Sequence, residues 1–459
     1  MLVEFSVSNF RSFLEEQTFS LVASKRLTGS HEDHALPIPD STERVLRVGV
    51  LYGANGAGKS NLYKALRFAE GVAIRTRNKS AGTGRTKFKF DAGGTTPSLF
   101  DIQIVAGGKL YRYGFKIDDE SILEEWLVRV IGEREQPVFE RATDATGNVK
   151  IDAADFKAKR DSKFGLLAAI GGPHNQSFLA TARATLEAAE LPEDVRNVVD
   201  WFVQVLRLTG PSETIEPVGH LLTSDAKFLD FAGEFLKLSS TGVDQLLVDK
   251  TEMTEEELGK FVPKSILSRV LDDLKSDKEG IGIVQMPDGN ELIVEQTDAN
   301  HFYRVGIQAL HEDASGTMTP LALREESDGT RRLLQLLPAL HTANSSKAVY
   351  FIDEIDRSMH PMLIWRFLEF FLRTCASGDG QIIVTTHESN LLDLELLRRD
   401  EIWFVEKNDA LQTRLYPLTD FGVRKDLEIR KHYLQGRFGA VPFLGSLERL
   451  LDGKMAECQ

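Results

Sequence analysis

The sequence predicts an α/β fold, in which a mixed or parallel sheet is covered by helices and accompanied by a compact helical insert. Short apolar strands separated by helical segments follow one another over residues 349–406, and this alternation is typical of a parallel sheet. Residues 97–130 alternate apolar and polar side chains on both sides of Gly107-Gly108, which indicates an antiparallel hairpin. Residues 153–276 instead have helical periodicity, which predicts the insert.

Three regions are predicted, because a chain of 459 residues exceeds the size at which one hydrophobic core usually stops growing. They are a first lobe (1–150), a helical insert for interaction or dimerisation (151–278), and a second lobe with a C-terminal cap (279–459). No apolar heptad is sustained over several turns, so we expect a compact insert and not a long coiled coil.

Individual elements are predicted from periodicity and from turn residues. The main expected strands are Leu2–Val7, Val45–Tyr52, Ile281–Val284, Glu291–Val294, Val349–Asp353, Gln381–Thr386 and Ile402–Glu406. The expected helices include Leu62–Ala73, Glu193–Leu208 and Glu255–Lys275. A hairpin turn is expected at Pro287-Asp288-Gly289-Asn290.

Charge and composition exclude several classes of protein. The chain has 69 acidic and 55 basic side chains, and its net charge of −14 disfavours non-specific attachment to nucleic acid or anionic lipid. Its two cysteines, Cys375 and Cys458, cannot form a disulfide framework and do not have zinc-ligand spacing. Because neither a membrane span nor a signal peptide is recognisable, we expect a cytoplasmic protein.

One stretch differs from the acidic average. It contains the six cations Arg75, Arg77, Lys79, Arg85, Lys87 and Lys89, with no carboxylate among them. Such a cluster could contact nucleic acid. A solvated loop beside a helix is the simpler interpretation and the one that we favour, but a nucleic-acid partner stays open.

The most specific motif is a glycine-rich loop between a predicted strand and a predicted helix. It consists of Gly53, Ala54, Asn55, Gly56, Ala57, Gly58, Lys59 and Ser60, followed by Asn61, and fits the pattern G-x-x-x-x-G-K-S. Its glycines let backbone N–H groups surround phosphate oxygens. Lys59 can reach the β and γ phosphates, and the Ser60 hydroxyl can bind Mg²⁺. The motif therefore predicts that ATP and Mg²⁺ bind at this loop.

Polar side chains also follow two later apolar strands. Asp353 and Glu354 end one of them, so Asp353 is predicted to bind Mg²⁺ and Glu354 to polarise the attacking water. His387 directly follows the strand Gln381–Thr386 and is predicted to donate a hydrogen bond to the γ-phosphate. A single histidine at a strand end is more often structural, so this role depends on the other motifs.

A second phosphate contact is predicted in front of an apolar helix. Ser327 and Gly329 belong to the segment Glu326-Ser327-Asp328-Gly329-Thr330. The serine hydroxyl and the N-terminal amides of the helix could bind a phosphate group. An ordinary helix N-cap would use the same residues, and this segment alone does not separate the two interpretations.

Together, the four motifs resemble the ATP-binding cassette head of the RecF, RecN and SMC clan, and they occur in that clan's order. The opening segment Phe5–Phe13, which contains the motif Asn9-Phe10-Arg11-Ser12, is similar to the clan's first strand. The resemblance implies a P-loop NTPase head that hydrolyses ATP, with Glu354 as the catalytic base and His387 as the switch histidine. It also implies that Ser327 and Gly329 complete the ATP site of a partner subunit.

Two further positions follow from this resemblance alone. Asp356 matches the clan's D-loop position, which lies at the interface between two heads. Gln176, in Asn175-Gln176-Ser177, is placed as the Q-loop glutamine that contacts the nucleotide.

A narrower resemblance is to the RloA/AbiLi-type ATPases, which are similar to the ATPase half of OLD nucleases. It is carried by Glu326–Thr330, Asp353–Pro361, Arg398–Phe404 and Tyr433–Pro442. The resemblance implies a bacterial phage-defence ATPase of low turnover that forms a homodimer or higher homo-oligomer. It also implies a separate effector subunit, such as a Toprim-like nuclease or a toxin.

Two alternative functions stay open. A RecF-like repair ATPase would clamp duplex DNA, and its binding would weaken as salt is added. A slow ATP-gated scaffold would bind ATP tightly, hold an effector, and barely hydrolyse the nucleotide.

Overall fold

The computed structural model describes residues 1–78, 80–91, 94, 96–153, 162–215, 217–258, 281–285, 291–295, 301–343, 347–375, 378–423 and 428–441. The chain forms two compact units. The first contains Met1–Leu208, Lys347–Glu354 and Asp379–Gln459, and the second contains Thr209–Ser346 and Ile355–Gly378. The segment 151–278, predicted as one insert, is therefore divided between the two units after Leu208.

The described residues form the following elements. The strands are β1 (Leu2–Ser8), β2 (Gln17–Ser20), β3 (Ala35–Pro37), β4 (Arg44–Leu46), β5 (Val48–Tyr52), β6 (Ser98–Ala106), β7 (Lys109–Ile117), β8 (Ile122–Ile131), β9 (Arg134–Thr143), β10 (Val149–Asp152), β11 (Leu206–Thr209), β12 (Gln245–Met253), β13 (Ile281–Gln285), β14 (Glu291–Glu295), β15 (His301–Glu312), β16 (Met318–Ala322), β17 (Val349–Ile352), β18 (Gln381–Thr386), β19 (Ile402–Lys407) and β20 (Thr413–Pro417). The α-helices are α1 (Lys59–Ile74), α2 (Lys163–Ile170), α3 (Phe178–Thr185), α4 (Glu193–Asp200), α5 (Val218–Ser224), α6 (Ala226–Leu238), α7 (Glu255–Leu258), α8 (Asp328–His341), α9 (Pro361–Thr374) and α10 (Ile429–Leu434).

A six-stranded sheet in the order β11-β17-β18-β5-β19-β20 organises the first unit. β17, β18, β5 and β19 run parallel, and β20 pairs antiparallel with β19. Every residue of β5, β17 and β18 is buried, as their continuous apolar sequences predict. Because the carboxyl ends of parallel strands meet at one edge of a sheet, the segments that follow these three strands lie side by side.

The strand predicted over Val45–Tyr52 is in fact two strands, β4 and β5, which are separated at Arg47. This arginine is buried, and its Nε donates to the carbonyl of Asp33 at 2.9 Å. β4 pairs antiparallel with β3, whereas β5 enters the parallel sheet. A polar side chain within an apolar run therefore marks the point where the chain changes sheets.

A seven-stranded antiparallel sheet, in the order β10-β9-β8-β7-β6-β1-β2, forms a second layer of the same unit. The predicted hairpin turn between β6 and β7 is confirmed, with φ of 56° at Gly107 and 74° at Gly108.

Helix α1 contacts both sheets of the first unit. The ring of Phe68 lies 5.3 Å from that of Phe100 in β6, and the ring of Tyr63 lies 5.8 Å from that of Phe351 in β17. Aromatic packing on two sides therefore fixes the helix that begins at Lys59.

The second unit contains a separate antiparallel sheet, in the order β12-β15-β14-β13, with β16 also paired to β15. The helical structure predicted from the periodicity of residues 153–276 is wrong at β12, which pairs with β15 along its whole length. Long-range pairing outweighs local helical periodicity here. Helices α5, α6, α7, α8 and α9 belong to the same unit.

The helix predicted over Glu193–Leu208 ends earlier than expected. Regular α-helix ends at Asp200, a π-helical turn continues to Val205, and β11 then begins. The helix predicted over Glu255–Lys275 is described only as far as Leu258, and the predicted turn at 287–290 lies outside the described residues.

Within the described residues, no helix is both long enough and apolar enough to cross a membrane. The α/β class with mixed sheets and helices is confirmed.

Candidate functional site

The glycine-rich loop lies between β5 and α1, where glycine is required for two different reasons. Gly58 has φ of 119°, which side chains of L-residues rarely adopt, and a Cβ there would lie 2.1 Å from Thr413 Oγ1. At Gly53, a Cβ would lie 2.3 Å from the carbonyl oxygen of Val405. The loop therefore combines a special backbone conformation with close packing against β19 and β20.

Hydrogen bonds hold this loop from the side of β20. Thr413 Oγ1 donates to the carbonyl of Ala57 at 2.8 Å and is 2.7 Å from Ser12 Oγ. Asn61 Nδ2 also donates to Ser12 Oγ, at 2.7 Å. The contact of Asn61 with the nucleotide stays a prediction, and in the structure its side chain contacts the supporting serine. Sequence reasoning missed Thr413, because no motif surrounds it.

Lys59 is buried, with 5% of its surface exposed, although it carries a charge. Its Nζ donates to the carbonyls of Gly53 and Ala54 at 2.7 and 3.3 Å. Both ring nitrogens of His387 lie 3.2 Å from the same Nζ. The structure therefore brings together two residues that belong to separate predicted motifs, 328 positions apart.

Asp353, at the end of β17, lies beside the first turn of α1. It is buried, and its Oδ1 accepts from Ser60 Oγ at 3.2 Å and from Thr385 Oγ1 at 2.6 Å. A carboxylate next to a hydroxyl supplies the oxygen ligands that Mg²⁺ prefers. Among the described residues, no group of three or more histidine, cysteine, aspartate or glutamate side chains is arranged to bind a metal. The donor set at Ser60 and Asp353 therefore fits Mg²⁺ held together with phosphate oxygens.

Glu354 has a left-handed backbone conformation, with φ of 51°. Residues other than glycine rarely adopt it, and such strain is concentrated at functional sites. Its backbone N–H donates to Thr385 Oγ1 at 2.8 Å. The carboxylate of Glu354 is therefore carried on a sharp turn of the chain directly after the buried Asp353.

Gln176 is buried close to the carboxyl end of α1, and both ends of its amide are hydrogen-bonded. Oε1 accepts from the backbone N–H of Arg77 at 2.8 Å, and Nε2 donates to Thr181 Oγ1 at 2.9 Å. One lone pair and one N–H of the amide are therefore used within the chain.

Ser327 and Gly329 lie in the second unit, at the start of α8. Ser327 is the N-cap of this helix, since its Oγ accepts from the backbone N–H of Thr330 at 3.1 Å. A Cβ at Gly329 would lie 2.6 Å from the carbonyl oxygen of Ser358, a residue with φ of 62°. The start of α8 is therefore packed against the loop that follows Asp356.

A model of one protein family, described as "AAA domain, putative AbiEii toxin, Type IV TA system", matches residues 49–177 and 219–393, more than half of the chain. The chain belongs to this AAA domain family. The matched ranges include the glycine-rich loop, Ser327, the pair Asp353-Glu354, and His387.

Two solved structures are similar to this AAA-family chain over most of its length. An SMC head domain from Thermotoga maritima is 13% identical with a TM-score of 0.38, and the match covers 91% of this chain and 98% of that chain. An SMC head bound to the C-winged helix domain of ScpA is 12% identical with a TM-score of 0.39, covering 92% and 99%. No curated protein matches the chain.

Two cationic side chains of the basic stretch, Arg77 and Arg85, contact other residues of the same AAA-family chain. Arg85 has 2% of its side chain exposed and donates to Asp119 at 2.6 Å. Arg77 donates to the carbonyl of Thr83, and its guanidinium lies over the Phe68 ring. Lys79 lies outside the described residues. These contacts support the interpretation of a stabilised loop over that of a nucleic-acid contact.

A buried ion pair holds the loop that carries Gln176. Glu125 of β8 accepts from the backbone N–H of Phe178 at 2.6 Å, and Arg141 of β9 donates to the carbonyl of His174 at 3.1 Å. The two side chains approach to 3.9 Å. Burial raises the pKa of Glu125, and the charge of Arg141 opposes that rise. The pair therefore joins the antiparallel sheet to both ends of this loop.

We expect Glu125→Ala to destabilise the AAA-family chain by about 3–5 kcal/mol, because Arg141 would be left buried without its counter-charge. The measurement is the midpoint of thermal unfolding. Glu124→Ala is the control, since Glu124 pairs with Lys116 at the surface, and such pairs contribute about 0–1 kcal/mol. The double replacement of Glu125 and Arg141 by leucine should recover part of the loss. Equal midpoints for the two single variants would contradict the assignment.

Proposed function

We propose that this chain binds ATP with Mg²⁺ and hydrolyses it at the edge of the parallel sheet. One observation carries the proposal. Lys59 of the glycine-rich loop contacts His387 at 3.2 Å, and Ser60 contacts Asp353 at 3.2 Å, although these two partners follow different strands of the sheet. Phosphoryl transfer from ATP uses a lysine on the phosphates and a hydroxyl and a carboxylate on Mg²⁺. This edge of the sheet offers all three groups, with the imidazole of His387 beside the lysine.

The roles of the loop residues follow from their positions. The backbone N–H groups of Gly53–Lys59 and the N-terminus of α1 would surround the phosphates, and Lys59 would exchange loop carbonyls for phosphate oxygens. Ser60 and Asp353 would hold Mg²⁺, which when bound would neutralise charge on the β and γ phosphates.

Glu354 would act as the general base that accepts a proton from the attacking water. Glu354 lies on a left-handed turn one residue after the buried Asp353, and the two carboxylates would serve different tasks. His387 would sense the γ-phosphate, since its ring already lies beside the Lys59 ammonium. Loss of the γ-phosphate would then alter contacts at the end of β18.

We further propose that ATP joins two copies of the chain. Ser327 and Gly329 of one copy would bind the ATP held by the Lys59 loop of the other, giving a homodimer or a higher homo-oligomer. Two features of α8 support this role. Its N-cap Ser327 is exposed, and the N–H groups and the helix dipole at the start of this 14-residue helix favour binding of an anion such as phosphate. Hydrolysis would open this dimer.

The biological role we propose is control of a separate effector, a nuclease or toxin, in bacterial phage defence at low turnover. The narrower resemblance to RloA/AbiLi-type ATPases supports it. The description of the matching family, which names a toxin of a Type IV TA system, supports a defence-related setting. In this role, ATP would control whether two copies of the chain associate, and that association would regulate the effector. ADP and phosphate themselves would have no regulatory function.

Glu354→Gln is the decisive test of the proposed hydrolysis. We expect kcat to fall by about 10²–10⁴-fold, because an amide cannot accept the proton of water. ATP affinity should stay close to that of the parent. ATP should then hold the variant as a dimer, which light scattering after size exclusion would detect.

Glu388→Gln is the matched control for this test. Glu388 lies at the same edge of the sheet, but its carboxylate accepts from the side chain and backbone of Asn390. The Glu388→Gln variant should hydrolyse ATP like the parent. If Glu354→Gln hydrolyses ATP as fast as the parent, the base assignment is wrong. Tight ATP binding by the parent without hydrolysis would favour the scaffold alternative.

A further inference from the structure

Thr385 is a buried residue of β18 that contacts both carboxylate residues at the end of β17. Its Oγ1 donates to Asp353 Oδ1 at 2.6 Å and accepts from the backbone N–H of Glu354 at 2.8 Å. The direction of each bond is determined, since an N–H can only donate and an ionised carboxylate can only accept. The single proton of the hydroxyl is therefore committed to Asp353.

The two bonds have different effects on the site. On Asp353, the bond from Thr385 and the bond from Ser60 reach the same oxygen, Oδ1, which fixes the rotation of the carboxylate. On Glu354, the bond satisfies a backbone N–H in the strained turn at φ of 51°. Without the Thr385 hydroxyl as acceptor, the strained backbone conformation of Glu354 would lose the hydrogen bond from its N–H.

We propose that Thr385 is a positioning residue that sets the Mg²⁺ ligand Asp353 and the base Glu354 at the same time. This inference rests on the proposed hydrolysis of ATP and adds a residue that none of the sequence motifs assigned. Thr385 belongs to β18, and His387 directly follows the last residue of that strand. The hydroxyl that orients both carboxylates and the histidine that contacts Lys59 are therefore carried by the same end of β18.

The test compares Thr385→Val, which has nearly the same shape but no hydroxyl, with Thr385→Ser, which keeps the hydroxyl. We expect the valine variant to lose about 10²-fold in kcat, because misplacing a reacting group by about 1 Å has such an effect. The Mg²⁺ concentration for half-maximal ATP binding should rise by about tenfold, as for other residues that orient metal ligands. The serine variant should retain most of both properties.

Thr83→Val is the control for losing a buried threonine hydroxyl elsewhere in the first unit. Thr83 is fully buried, and its Oγ1 donates to the carbonyl of Asp118. This variant should keep the parental kcat and Mg²⁺ dependence. If Thr385→Val cannot be purified in folded form, Thr385→Ala replaces it, because it removes the hydroxyl without adding a methyl group to a packed site.

The Thr385 assignment fails if the valine variant keeps the parental Mg²⁺ dependence of ATP binding, or if the serine and valine variants lose kcat equally. The first readout needs no hydrolysis, so it decides the role of Thr385 even if the parent proves inactive. An inactive parent would contradict the proposed hydrolysis alone. A lower unfolding midpoint with unchanged kcat and Mg²⁺ dependence would also overturn the assignment, since it would show a purely structural role.

Discussion

Replacing Lys59 by alanine is expected to lower kcat/KM for ATP by roughly 10²–10³-fold, the usual effect of removing one well-placed group that stabilises charge in a transition state. Lys59 is the buried cation of the glycine-rich loop, and its Nζ contacts loop carbonyls and His387 within 3.3 Å. An alanine leaves no positive charge at the position that the phosphates would occupy. ATP affinity, measured by titration with a fluorescent analogue, should fall together with hydrolysis.

Lys64→Ala is the matched control for this variant. Lys64 lies on the same helix, α1, but is exposed to solvent. It should bind and hydrolyse ATP like the parent, because a surface lysine contributes little to this site. Thermal unfolding of both variants would separate loss of binding from loss of folding. Parental ATP affinity in a folded Lys59→Ala variant would exclude this loop as the nucleotide site.

The second large effect is expected for Gly58→Ala. The backbone conformation at Gly58 is unfavourable for alanine by about 1–3 kcal/mol. In addition, the new Cβ would overlap Thr413, whose Oγ1 lies 2.1 Å from its ideal position. Either the loop or Thr413 must move, and the bond from Thr413 to Ala57 would be lost. We expect ATP affinity to fall by about tenfold or more, since each 1.4 kcal/mol changes an equilibrium tenfold.

Gly108→Ala is the control that separates the effect of an unfavourable backbone conformation from the effect of a steric clash. Gly108 has φ of 74°, and a Cβ added at this hairpin turn would have no atom within 4 Å. The variant should lower the unfolding midpoint slightly and leave ATP affinity unchanged. If Gly58→Ala binds ATP with parental affinity, the loop does not depend on close packing against Thr413.

The position of the candidate site could be predicted from the sequence, because it depends on local patterns and on one rule of topology. Lys59, Asp353 and His387 each follow a recognisable apolar strand. Parallel strands bring their carboxyl ends to one edge, so these residues are expected to meet, and the structure places Lys59 3.2 Å from His387. Their catalytic roles stay predictions until the variants are measured.

The supporting contacts could not be predicted, because they join residues that are far apart in the chain and leave no periodic signal. Ser12 and Thr413 are 401 positions apart, yet their hydroxyls are 2.7 Å apart. The left-handed backbone of Glu354 is also invisible in the sequence, since glutamate rarely adopts it. Likewise, β12 belongs to a region of helical periodicity, and only its pairing with β15 makes it a strand.

The dependence of the glycine-rich loop on Thr413 has a consequence for protein synthesis. The loop leaves the ribosome before β19, which flanks β5, and before Thr413. These are made roughly 350 residues later, an interval of tens of seconds at about 5–20 residues per second. During this time, the loop lacks the side of the sheet against which it packs. A nascent or prematurely terminated chain therefore presents no finished ATP site. Binding of ATP would select chains whose translation has passed β20, and incomplete products would be kept out of any assembly that the nucleotide controls.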